Sequence, residues 1–66
     1  MDASIVADVV GSVLQEVSPL DRFMFYLRIE KNVPVGEISE IVGFSQDKVG
    51  SRLKKVYEKL RARLPR

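Results

Sequence analysis

The chain has no cysteine, no histidine and no tryptophan. Without cysteine there is no disulfide framework and no thiolate to hold a metal. With histidine also absent, a zinc site built from Cys or His is excluded, and so is the commonest general base. No segment approaches the roughly 20 consecutive apolar residues of a membrane span. The N-terminus lacks a basic region followed by an apolar run, so no signal peptide is predicted. A glycine-rich phosphate loop of the form G-x-x-x-x-G-K-[ST] is missing as well. Glu37 and Glu40 lie three apart on a short surface helix, which reads as a solvated pair rather than a catalytic one. These absences predict a soluble, cytoplasmic protein that is not an enzyme, with no cofactor, no metal and no membrane partner.

What is present fits a single small domain over residues 1–66. At 45% hydrophobic the chain has an ordinary globular composition, so disorder is not the default. The net charge of +2 hides an asymmetry. Residues 46–66 carry Lys48, Arg52, Lys54, Lys55, Lys59, Arg61, Arg63 and Arg66 against Asp47 and Glu58, a balance of +6. Residues 1–45 balance at −4. Positive charge gathered on one element suits an anionic partner, and equally suits a plain solvated face.

Periodicity and punctuation predict four helices and no strand. Over residues 4–17, Ile5, Val6, Val9, Val10, Val13, Leu14 and Val17 pair at helical spacing, with Gly11 as a weak spot. Ser18-Pro19-Leu20-Asp21 is a start signal: a capping hydroxyl, a proline suited to the first turn, and an acid near the positive dipole end. The second helix runs to about Glu30. Leu20, Phe23, Met24 and Leu27 form one stripe and Phe25 and Ile29 lie opposite, which predicts burial on two sides. Lys31-Asn32-Val33-Pro34 breaks the pattern. A short third helix, about Val35 to Val42, turns Ile38, Ile41 and Val42 inward. Gly43 suits the left-handed closing position, and Phe44 is expected to pack into the core. Ser45 caps a fourth helix with Asp47 in its first turn. Val49, Leu53, Val56 and Leu60 mark its buried side, Leu64 follows one turn on, and Pro65 closes the chain.

The predicted fold is therefore all-α: a compact four-helix domain containing a helix-turn-helix, without winged elements. Residues 34–60 supply the two helices and a turn centred on Gly43-Phe44-Ser45. An α-helix fits the major groove, and side chains early in it meet base edges. Gln46, Asp47, Lys48, Ser51 and Arg52 are the candidate base readers. Gln pairs with adenine, Arg or Lys with guanine, and Asp accepts from cytosine. Lys54, Lys55 and Lys59 are candidate phosphate contacts, and the backbone N–H groups at Val35 and Gly36 could serve another phosphate. Plainer roles compete. Asp47 can act on the helix dipole alone, Gln46 and Ser51 can be solvated, and Lys54 and Glu58 can pair at i, i+4. The phenylalanines read as core rather than as a stacking platform.

Three stretches together resemble region four of bacterial sigma factors, closest to the extracytoplasmic-function type. Val17-Ser18-Pro19-Leu20-Asp21-Arg22 before Phe23-Met24-Phe25-Tyr26-Leu27 looks like its opening joint and helix. Residues Val35 to Ser45 resemble its "EIA-x-x-lg-hydrophobic-S" helix and turn. Lys48 to Leu60 resemble its "TVKSRL-x-RA-x-x-x-L" recognition helix. The resemblance spans roughly residues 5–64. It implies binding to the promoter's minus-thirty-five element as double-stranded DNA, docking on the flap of the RNA polymerase β subunit, and capture by an anti-sigma factor. The chain departs from the pattern at Gly50, where the family has a basic residue, at Lys48, where it has Thr, and at Asp47, which adds negative charge. No counterpart of region two lies within the 66 residues.

Two other readings stay open. A sigma-mimicking module could bind an anti-sigma factor without reading DNA, a role that Gly50, Asp47 and the broad apolar face of the first helix would suit. An effector domain of the LuxR type shares the "E-I-x-x-x-x-G-x-S" element, although the amphipathic helix over 4–17 favours the sigma-like reading.

Overall fold

Four helices follow one another in the computed structural model, which describes residues 3–64: α1 (Ala3–Glu16), α2 (Pro19–Ile29), α3 (Val35–Val42) and α4 (Gln46–Arg63). There is no strand among the described residues, and the architecture is all-helical. The expected closing role of Pro65 lies outside the described residues.

The helix starts are made locally, by the signals present in the sequence. Ser18 has extended backbone and its Oγ accepts from the Asp21 N–H at 3.1 Å, with Pro19 opening the helix. Ser45 does the same for α4, accepting from the Lys48 N–H at 3.1 Å. Gly43 closes α3 at φ 78°, a left-handed conformation that disfavours a Cβ. Asn32, at φ 53°, makes the comparable turn after α2. Its short polar side chain tolerates that region, and its Oδ1 accepts from Arg28.

The core is a single cluster in which α4 is the central element. Val49, Leu53, Val56 and Leu60, spaced i, i+4, i+7, i+11, are all buried. α1, α2 and α3 each pack against this stripe. Val13 and Val17 enter from α1 and the joint after it, Met24 and Phe25 from α2, and Ile38 from α3. Phe25 meets Tyr57 of α4 edge-on, ring centres 5.9 Å apart, the arrangement that aromatic quadrupoles favour. An ion pair between Arg63 and Glu16 joins the C-terminal ends of α4 and α1. α4 runs to Arg63, with Leu64 one turn beyond Leu60 as its C-cap.

Three expectations about burial fail. Ile41 was placed inward and is exposed. The buried side of α3 is Val35, Ile38 and Val42; at ~100° per residue Ile41 lies about 90° from the centre of that stripe. α2 was expected to be covered on two sides, yet Phe23 and Ile29 are exposed while Met24 and Phe25 are buried. With only α3 and α4 packed closely on it, α2 leaves its outer side facing an open groove beside α1. Ile5, counted in the apolar face of α1, is exposed as well.

Candidate nucleic-acid interface

The candidate surface is built on α4 and braced by α3. Because Val49, Leu53, Val56 and Leu60 face inward, the remaining positions of an 18-residue helix turn outward. Gln46, Asp47, Lys48 and Ser51 are exposed, as are Lys54, Lys55 and Lys59. Lys48, Arg52, Lys55 and Lys59 form one flank at i, i+4, i+7, i+11, and Asp47, Ser51, Lys54 and Glu58 form the side opposite the core. The helix is continuous through Gly50.

The turn between α3 and α4 is held by contacts that sequence reading missed. Ser39 donates its hydroxyl to the Phe44 carbonyl, tying the middle of α3 to the residue before the α4 cap. Phe44 is half-buried and packs against the core, as expected. Its outer face carries the Lys48 Nζ 4.1 Å from the ring centre and the Arg52 guanidinium at 5.7 Å. A ring face is electronegative, so it seats both cations at the base of α4.

Gln46 and Gly36, singled out for different roles, are neighbours. A Cβ built on Gly36 would lie 3.5 Å from the Gln46 Nε2, so the N-terminal turns of α3 and α4 sit side by side. The Glu37 and Ile38 N–H groups both reach the Pro34 carbonyl at 3.0 Å. Pro34 supplies no side-chain cap. The N–H groups of Val35 and Gly36, first in the helix, have no intrahelical acceptor.

Arg52 has a partner that spacing could not reveal. Its Nε donates to the Asp21 Oδ1 at 2.6 Å, across 31 residues of sequence. The Asp21 side chain is 19% exposed and that of Arg52 34%, so the pair is shielded but not dry. Asp21, expected only near the α2 dipole, thus also anchors α2 to α4. The bond occupies Nε and leaves the two terminal nitrogens of the fork. Lys54 and Glu58 do not pair; among the described residues the ion pairs are Arg52–Asp21 and Arg63–Glu16. Among those residues, too, no helix is long and apolar enough to cross a membrane.

No protein-family model matches the chain, and no curated protein or solved structure is significantly similar to it.

Proposed function

We propose that the chain binds duplex promoter DNA through α4, as a cytoplasmic module similar to region four of a sigma factor. The supporting observation is the state of α4. It is one rod through Gly50, its apolar side is covered by the other three helices, and Lys48, Ser51, Lys54, Lys55 and Lys59 lie on its uncovered sides. A helix presented in this way can enter a major groove. Residues 34–60 then act as a helix-turn-helix, with Gln46, Asp47, Lys48, Ser51 and Arg52 toward base edges. Lys54, Lys55 and Lys59 take phosphates, and the Val35 and Gly36 N–H groups take one more. Arg52 can reach a base through its terminal nitrogens while Asp21 holds its Nε, so the ion pair fixes the direction of the fork before DNA arrives. Docking on the polymerase β flap is part of the same reading and rests on the sequence resemblance.

Salt dependence of duplex binding is the test. If Lys54, Lys55 and Lys59 each neutralise a phosphate, the log–log slope is about −2.7, and affinity falls about 40-fold between 50 and 200 mM salt. A selection from random duplexes should also converge on one motif. Absence of any duplex binding at low salt would overturn the reading.

One observation favours a second reading, in which the chain mimics a sigma factor and binds an anti-sigma factor. Lys48 rests on Phe44, Arg52 is held by Asp21, and Asp47 and Glu58 interrupt the outward side of α4. A surface with cations so engaged suits a mixed-charge protein partner better than a polyanion. Failure of DNA binding together with capture of a purified anti-sigma domain would favour it.

A further inference from the structure

An open groove of about 770 Å³ lies between α1 and α2. Val10 and Leu14 line it from α1. On the α2 side Phe23, Tyr26 and Ile29 line it while 43, 44 and 52% exposed. Three large apolar side chains this open on an 11-residue helix form a contiguous patch, the kind that marks an association surface. Its remaining lining residues include Arg22 and Glu30, both exposed. Neither takes part in an ion pair among the described residues. At 1.5 Å per residue they are about 12 Å apart along the helix, too far to pair with each other.

The order of these residues along α2 is self-complementary. Reflected about Tyr26, Arg22 falls on Glu30 and Phe23 falls on Ile29. A helix carrying such a series matches a second copy of itself running antiparallel. We propose that this face pairs with the same face of a second copy of the chain, α2 against α2, about a twofold axis at Tyr26. Each Arg22 then meets Glu30 of the other copy, each Phe23 packs beside the other Ile29, and the two Tyr26 rings meet at the axis. The groove beside Val10 and Leu14 in each copy receives Phe23 of the other. Such an interface is isologous, so one favourable pair is made twice. Stable interfaces bury roughly 800 Å² per partner, about a sixth of the 4676 Å² surface of this chain. One face of a two-helix groove supplies an area at or below that size, which places the pair among weak, reversible interfaces. The face is separate from the uncovered sides of α4, and the inference does not depend on DNA binding.

Sedimentation equilibrium from about 5 to 1000 µM tests it. Wild type should move from the 7.5 kDa monomer mass toward twice that value. Arg22→Glu sets Glu against Glu30 at both ends of the interface and should weaken association about tenfold or more; Glu30→Arg should do the same through Arg22. The double variant Arg22→Glu/Glu30→Arg should recover association. So should an equimolar mixture of the two single variants, because their heterodimer restores both charge pairs. Far-UV circular dichroism should show each variant folded, since both positions are exposed. A wild type that stays monomeric throughout would overturn the proposal and leave the face to a different chain. Single variants that dimerise like wild type, or a mixture that does not recover, would also overturn it.

Discussion

Replacing glycine by alanine at Gly50, Gly11 and Gly43 makes the same chemical change in three backbone settings, and the structure assigns each a sign. Gly50 lies inside α4, and a Cβ built there meets nothing within 4 Å. Alanine at that position restricts the unfolded chain and introduces no clash. A mid-helix Gly is less favourable than Ala by about 1 kcal/mol. For a domain of this size that raises Tm by roughly 4–8 °C. Gly11 lies inside α1 and is equally unobstructed, so Gly11→Ala should add a similar increment, with the two summing in the double variant. Gly43 is unobstructed too, but its φ is +78°. There a Cβ crowds its own backbone, at about 1–2 kcal/mol in the left-handed region. Gly43→Ala should lower Tm by roughly 4–8 °C after the unfolded-state gain is set against that strain. Thermal melts followed at 222 nm measure all three. If Gly50→Ala left Tm unchanged or lowered it, α4 would not be one continuous helix at that point, and the DNA reading would lose its rod.

Other perturbations probe the same frame. In a double-mutant cycle of Asp21→Asn and Arg52→Gln, a coupling of about 1–2 kcal/mol is expected, between the values for exposed and buried pairs; a coupling within about 0.3 kcal/mol would show that the ion pair contributes nothing. Ile38 and Met24 are fully buried, so Ile38→Ala or Met24→Ala should destabilise by about 2–5 kcal/mol in urea unfolding; a loss below 1 kcal/mol would mean a loosely packed core. In anisotropy titrations, Arg52→Ala should weaken the selected duplex by about 1–3 kcal/mol and relax its specificity, whereas Lys59→Ala should weaken all duplexes alike. Indistinguishable behaviour on scrambled sites would remove Arg52 from base reading. Gly50→Arg should raise duplex affinity and steepen the salt slope by about one phosphate, and an unchanged slope would place Gly50 away from the DNA.

Signals that act within a few residues already determined much of this protein. Ser18 and Ser45 cap through hydroxyls that reach three residues ahead, and Gly43 closes α3 because its own φ is positive. The i, i+4, i+7, i+11 stripe of α4 needed only the helical period to be read as buried. From that stripe the exposed positions of the candidate interface follow, since the outer side of a helix is what its buried side leaves. Only the tertiary structure could decide which faces find neighbours. Met24 and Phe23 are adjacent, similar in hydrophobicity and both plausible core residues, yet one is sealed and the other open. The difference is that α4 packs on one side of α2, while the side carrying Phe23 faces an open groove beside α1. The Asp21–Arg52 pair, the Ser39–Phe44 bond and the seating of Lys48 on Phe44 belong to the same class. Each depends on where two separately formed elements come to rest, a matter of packing across the whole chain rather than of spacing along it.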